Sequence, residues 1–335
     1  MLRSILYRLV QLPLLLLVAT AIVFFALRLG PSSPVDLATE AARDPAEIAR
    51  IKQEWGLDRP LIVQFADYTW HAVQGDFGRS FFSGVPVSDV IASHFPATIE
   101  LAVAGMLLGT LLGIGAGVLS AVRQNHWLDV ASRTVALLGI STPTFWLGLM
   151  FISFFAVSLG WLPVSGRFDS HRAFPTVTGF YTIDSILTGN IDDLLITLRY
   201  LLMPAMVVGL FVAGFIARIT RVTVLEALRQ DYIRTARAKG LSEWVVVMRH
   251  ALRNALLPIV TILGLQFGNL LGGAAVTETV FAWPGLGKLM VDAVYINDFP
   301  QIQASVILFA STYVVVNLTI DILYSVIDPR IRRGG

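Results

Sequence analysis

Cysteine is absent from this 335-residue chain, which excludes disulfides, thiolate metal sites and cysteine nucleophiles at once. Charge is nearly as scarce. Only 14% of residues are Asp, Glu, Lys or Arg, against about a quarter in an ordinary soluble domain. The five histidines (His71, His94, His126, His171 and His250) have no HExxH spacing and form no cluster in sequence, so nothing points to a bound metal. Nucleotide chemistry is missing too. "DFG" at 76–78 lacks the companion motifs of a kinase, and "GLGK" at 285–288 has Ala282 where a phosphate loop needs its first glycine. A chain with these gaps cannot hydrolyse ATP, and it is not expected to bind a cofactor of its own.

What is present is apolar. Hydrophobic residues make up 55% of the chain and mean hydropathy is +0.70, too little polar surface to cover a globule in water. Six apolar runs stand out, at about 9–27, 99–121, 135–160, 200–217, 256–276 and 303–325. The first covers roughly 30 Å as a helix, the thickness of a bilayer's hydrocarbon core. It exceeds the apolar region of a cleaved signal and further runs follow, so a retained span is expected. Each of the six reads as one membrane-spanning helix.

Six spans put both termini on one side, and the charges say which. Arg3 and Arg8 precede the first run, Arg123 and Arg133 lie between the second and third, and Arg330, Arg332 and Arg333 follow the sixth. Segment 218–254 holds eight basic residues against three acidic ones, whereas 31–98 holds nine acidic against five basic. The positive-inside rule therefore places both termini in the cytoplasm and 31–98 outside. Within that outer segment "PSSP" at 31–34 predicts a turn, and a short amphipathic helix is expected from Pro45 to Gly56. Its aromatics, Trp55, Phe65, Tyr68, Trp70, Phe77, Phe81 and Phe82, are expected on the membrane surface. Residues 161–198, with Pro163, Gly166, Pro175, Gly179 and Gly189, read as a second outer loop.

Two spans carry small residues at four-residue steps: Gly105, Gly109, Gly113 and Gly117 in the second, and Gly264, Gly268 and Gly272 in the fifth. Such stripes let helix backbones approach closely where lipid offers no hydrophobic gain. Asp321, a turn from Asn317, is the clearest charge within a span, and a structural hydrogen bond or interfacial ion pair is its expected role rather than a proton relay. Paired acids and broken helices near mid-bilayer, the marks of a self-sufficient carrier, are not visible in the sequence.

The basic segment is the exception to the apolar pattern. Residues 221–240 read as a helix with Val224, Leu225, Leu228, Tyr232 and Ala236 on its apolar face, stopped by Gly240. Ser242 is placed to cap a second helix, with Glu243 in its first turn, which then enters the fifth run near Pro258. The product is a compact cytoplasmic knob. Ala236, Ala238 and Gly240 would admit a close partner, and Arg234, Arg237 and Lys239 offer charge-assisted bonds. Binding to anionic lipid needs only scattered cations, and DNA is a poor fit for a knob held against the bilayer; a protein partner fits best, and no nucleic acid is expected.

"DYIRTARAKGLSEWVVVMRHALRNALLP" (231–258) resembles the coupling, or EAA, loop of type I ABC importer permeases, and is most similar to the dipeptide, oligopeptide and nickel branch. "GLDRPLIVQF", "GDFGRSF", "PVSDVI", "PATIEL", "TETVFAWPGLGKLMVDAV" and "NLTIDILYSVIDPRIR" resemble the same branch. "LPVSGRF" and "TGFYTIDSI" lean toward its dipeptide members. Two departures stand out: Arg234 occupies the position of the family's opening glutamate, and the closing Leu257–Pro258 pair falls late. The resemblance implies an all-α polytopic type I fold. Residues 1–30 would form the first span, 31–96 an extracytoplasmic loop and 97–328 the transmembrane domain, with a coupling loop at 221–256. It implies a multi-pass protein of the bacterial inner membrane, paired with a sister permease. One or two ATPase subunits would hold ATP and magnesium, and an extracytoplasmic solute-binding protein would deliver substrate. It also implies that Asp231, Tyr232, Arg234, Thr235, Ala236, Ala238, Lys239, Gly240 and Leu241 contact the ATPase. The expected cargo is dipeptides, with oligopeptide, nickel and glutathione as alternatives.

Overall fold

A computed structural model describes residues 2–30, 45–54 and 56–327. Side chains are described from 13 to 320 within those bounds, apart from residues 45, 48, 51, 54 and 273. The turn expected at 31–34, Trp55, the Asp321 side chain and the C-terminal arginines lie outside the described residues.

The regular secondary structure of the described residues is helical, apart from one isolated bridge between Arg79 and Pro86. In order it runs through α1 (Leu2–Leu29), α2 (Pro45–Glu54), α3 (Leu61–Val73), α4 (Val87–Val122), α5 (Trp127–Ser141) and α6 (Thr144–Phe151). There follow α7 (Tyr181–Leu187), α8 (Ile191–Leu228), α9 (Asp231–Ala238), α10 (Leu252–Gly273), α11 (Ala275–Val280), α12 (Leu286–Tyr295) and α13 (Phe299–Ile327). A wider π-helical turn over Ile152–Ser158 prolongs α6, and a short turn at Glu243–Val245 leads through a π-helical stretch, Val246–Ala251, into α10.

Among the described residues four helical stretches, α4, α8, the run from Glu243 through α10 and the first part of α13, are long and apolar enough to cross a membrane, and the bent pair α5–α6 counts as a fifth when taken as one span. The described part of the first run, Pro13–Leu29, is a shorter apolar helix. The third run is not the straight span expected. It breaks between Ser141 and Thr144 and turns through 105°. Pro143 supplies no N–H, and Thr142 before it is held extended at φ −80°, ψ 127°, the conformation a following proline imposes. A broken apolar helix is therefore present where none had been read.

α4 and α8 form the central pair. A Cβ at Gly105 would lie 2.8 Å from Val208, at Gly109 2.8 Å from the Gly209 carbonyl, and at Gly113 2.6 Å from Ile216. At Gly117 it would lie 2.6 Å from Thr220. Val208, Val212, Ile216 and Thr220 repeat every four residues on α8, so each glycine admits one ridge residue. Gly264 and Gly268 receive Ile320 and Tyr313 of α13 in the same manner. Gly272 does not belong to that seam, since nothing lies within 4 Å of its would-be Cβ. The main hydrophobic core follows the α4–α8 seam, from Ala97 and Leu101 to Ile233 and Val246.

The outer aromatics behave differently from the expected surface layer. Phe65 and Tyr68 of α3 turn inward onto Phe24 of α1, with ring centroids 5.3 and 6.0 Å apart, and Phe77 packs beside Val87 and Leu286. Trp70 and Phe82 remain exposed.

Candidate functional site

The basic segment is built from two helices and a hinge, not from one helix over 221–240. α8 ends at Leu228, the chain bends at Arg229 and Gln230, and α9 begins at Asp231. Leu228 and Tyr232 therefore do not share a helical face. Gly240 takes φ +76°, the left-handed conformation that terminates helices at glycine, and a Cβ there would meet nothing within 4 Å. Its requirement is conformational. Across this turn Arg237 of α9 reaches Glu243, with Nη2–Oε1 at 2.5 Å and Nε–Oε2 at 3.1 Å. Ser242 occupies the N-cap position but its hydroxyl makes no capping bond. Glu243 is held by the arginine.

Among the residues expected to touch a partner, Asp231, Tyr232, Arg234, Thr235, Ala238, Lys239, Gly240 and Leu241 are all exposed. Asp231 and Arg234 face each other at 3.5 Å on the outer surface. Ala236 is different: it is buried with Ile233 against the core containing Val246 and Ala251. The close approach its small side chain permits is to the chain's own helix, so Ala236 is corrected from partner contact to anchor. Ile233, unremarked in the sequence, is the larger anchor. Two further apolar residues crown the knob. Trp244 is 71% exposed, and Met248 is also exposed. Trp244 and Met248 are four residues apart in the helical stretch that starts at Glu243, while Leu241 precedes its N-cap Ser242 and adds exposed apolar surface from the turn. An apolar cap flanked by exposed Arg234 and Lys239 has the makeup of a protein docking surface.

The knob's root is fixed to the membrane helices. Asp129, at the start of α5, is fully buried. Its Oδ1 accepts from Ser120 Oγ at 2.5 Å and Arg221 Nε at 2.8 Å; its Oδ2 accepts from Arg221 Nη2 at 3.1 Å and the Asn125 amide at 3.0 Å. Arg133 Nε adds a contact at 3.3 Å. One carboxylate thus joins the end of α4, the start of α5 and α8 two turns before the hinge.

A second ionic clamp lies toward the other end of α4, about 30 Å from Ser120 along the helix. Glu100 accepts from Arg167 Nη2 at 2.7 Å and Nε at 3.0 Å through one oxygen, and from the Thr182 amide and hydroxyl at 2.7 Å through the other. Both partners are buried, and Arg167 also lies over the Tyr181 ring at 3.9 Å. Glu278, buried, accepts from Thr98 Oγ1 at 2.7 Å and the Lys288 amide at 2.9 Å, while Trp283 Nε1 donates to the Ala97 carbonyl at 2.8 Å. "PATIEL" and "TETVFAWPGLGK" are therefore one packed unit. Ser80 of "GDFGRSF" similarly bonds Asp298 at 2.5 Å.

Buried acids are thus more numerous than the sequence suggested. Glu100, Asp129 and Glu278 each accept hydrogen bonds, which satisfies a buried polar group. Asn317 donates to the Tyr313 carbonyl one turn back. In the outer loop, burial raises the Asp184 pKa, yet donation from the Thr178 hydroxyl and the amides of Thr178, Val177 and Gly179 outweighs it, and the carboxyl stays below its usual range. Among the described residues no group of His, Asp or Glu side chains is arranged to hold a metal.

Comparison with known proteins follows the same lines. The family described as binding-protein-dependent transport system inner membrane component matches residues 91–333, and its N-terminal companion matches residues 1–102. The di/tripeptide transport system permease protein DppB of Pseudomonas aeruginosa (strain UCBPP-PA14) is 45% identical over 93% of this chain and 94% of its own length. The glutathione transport system permease protein GsiC of Salmonella choleraesuis (strain SC-B67) is 42% identical over 99% of each chain. A solved structure of the MetNI methionine ABC transporter in inward-facing conformations aligns with TM-score 0.55 at 18% identity, covering 71% of this chain and 96% of that one. That likeness shows the fold.

Proposed function

The chain belongs to the family of binding-protein-dependent transport system inner membrane components, and from that premise we propose that it conducts dipeptides inward across the bacterial cytoplasmic membrane. It is a multi-pass permease with the type I fold, working within an ABC peptide importer alongside other subunits, and it is not an enzyme. The finer reading assigns it a sister permease, with which it forms the pathway. One or two ATPase subunits carry ATP and magnesium, and a solute-binding protein delivers cargo from outside.

The observation that carries this reading is the knob. Tyr232, Leu241, Trp244 and Met248 present apolar surface in a chain with no nucleotide-binding motif, and Arg234 and Lys239 orient a partner by charge. Closure of two ATPases would draw such knobs together. The Asp129–Arg221 clamp would pass that displacement to α4, α5 and α8 and shift the population between inward- and outward-open states.

A dipeptide substrate is supported by the 45% identity to a di/tripeptide permease. A second reading, glutathione, is favoured by the near full-length match to GsiC. Uptake of labelled dipeptide in a strain deleted for this chain tests both, with glutathione, nickel and oligopeptide as competitors. Loss of dipeptide uptake, restored by the intact gene and resistant to the other three, is the expected result. Competition by glutathione alone selects the second reading. Accumulation of solute against a gradient by the purified chain in liposomes without nucleotide would overturn both.

A further inference from the structure

At the outer end of α1 a cavity of about 730 Å³ opens between α1, α3, the 76–84 loop and the start of α13. Arg28, Tyr68 and Gln303 all line it, and each carries a buried polar atom without a hydrogen-bond partner: Arg28 Nη1, the Tyr68 hydroxyl and the Gln303 amide nitrogen. Gln303 is only 4% exposed. Orphaned donors of this kind are rare in folded proteins and costly. Here three occur on side chains that line one space.

All three are donors, and one is a cation. Arg28 bonds Gln64 through Nε at 2.9 Å and lies over the Phe24 ring at 3.6 Å, and among the described residues it has no ion pair. The neighbouring charges do not answer it. Asp67 is taken by Arg59 at 2.7 Å, Asp76 accepts from the Gly78 amide, and Arg79 donates to the Gly84 carbonyl. The missing component is an anion with several acceptor oxygens.

Depth in the membrane narrows its source. The apolar stretch Pro13–Leu29 covers roughly 25 Å as a helix, so Arg28 at its end lies at the boundary between hydrocarbon and headgroups. Beside the cavity, α3 exposes Ile62, Trp70 and Val73, an apolar and aromatic fringe suited to that boundary. We propose that this cavity holds the phosphodiester of a membrane glycerophospholipid, with Arg28, Tyr68 and Gln303 donating to its oxygens while the acyl chains lie along α1 and α13.

The test uses the full-length chain in its assembled transporter, purified in mild detergent, with bound lipid counted by native mass spectrometry after adding dioleoylphosphatidylglycerol. Wild type is expected to retain a lipid that Arg28→Gln and Tyr68→Phe each bind about tenfold or more weakly, the loss expected for a charge-assisted bond, while Arg28→Lys retains part of the affinity. Inorganic phosphate and a dipeptide are run as competing probes. Displacement of the lipid by either at millimolar concentration would reassign the site to a soluble anion. Unchanged retention in both Arg28→Gln and Tyr68→Phe would overturn the proposal. Tyr68→Phe removes only a hydroxyl, so misfolding cannot mimic its effect, and lipid counting does not depend on which solute is transported.

Discussion

Arg221 and Asp129 lie 92 positions apart in sequence, yet they meet through two hydrogen bonds of 2.8 and 3.1 Å at a fully buried carboxylate. Removing the Arg221 guanidinium takes away two of the four hydrogen bonds at this carboxylate and its nearest cation, leaving, among the described residues, only the exposed Arg133 at 3.3 Å as a countercharge. Arg221→Ala should destabilise the purified subunit by about 3 kcal/mol or more, read as a drop in thermal midpoint. The double variant Asp129→Ala/Arg221→Ala should lose less than the sum of the single changes. Additive losses would mean the pair is not coupled.

Gly240 at φ +76° makes a separate prediction. Any side chain there incurs a left-handed backbone cost of about 1–2 kcal/mol without a clash, so Gly240→Val should reach the membrane at normal levels. Uptake should fall sharply because the turn that presents Leu241 and Trp244 is distorted. Normal uptake at normal abundance would remove the knob from the coupling role.

Trp244 tests the apolar cap directly. Because the side chain is largely exposed, Trp244→Ala should change subunit stability by under about 0.5 kcal/mol, while co-purification of the ATPase subunits weakens. Met248→Ala should act in the same direction and less strongly. Full retention of the ATPases by the double variant would place docking elsewhere.

The α4–α8 seam predicts a contrast between neighbours. Gly113→Ala pushes a methyl to 2.6 Å from Ile216 and should cost about 1–3 kcal/mol by overpacking. Gly115→Ala, two residues away with nothing within 4 Å, should be near neutral or slightly stabilising. Equal effects in thermal unfolding would exclude tight packing as the reason for the stripe.

Asp184 sets the acid response of the outer loop. Its folded pKa is depressed, so its contribution is complete above the unfolded carboxylate value of about 3.9 and is lost as pH falls through the lower folded value. Amide exchange at Val177, Thr178 and Gly179, corrected for intrinsic rate, should therefore be flat from neutrality down to about pH 4 and accelerate below it. Asp184→Asn should raise exchange at neutral pH and abolish that acid step.

Apolar runs, the Gly240 stop and the run of the knob into α10 were legible because each rests on local rules: hydropathy over a helix length and the left-handed preference of glycine. Pro258, expected at that entry, lies inside α10, six residues after its start at Leu252. The break at Pro143 was legible in principle but hidden inside a continuous apolar run, where composition outweighs a single residue. The placement of Ala236 was not, because a small residue suits either a partner or the chain's own core, and only the fold decides. The buried acids were missed for a related reason. Glu100 and Glu278 look solvent-facing beside Thr and Pro, and their partners Arg167 and Thr98 lie 67 and 180 positions away.

Interlocked glycines along the seam make α4 and α8 a single strut, tied at its inner end to α5 through Asp129 and at its outer end to the 161–180 loop and α7 through Glu100. A push that arrives at its inner tip is carried along this seam toward its outer tip, past the one proline inside α8, Pro204. Spin labels placed one on each of these two helices should keep their spacing through a transport cycle, while the yielding joints, among them the kink at Pro143, register the stroke.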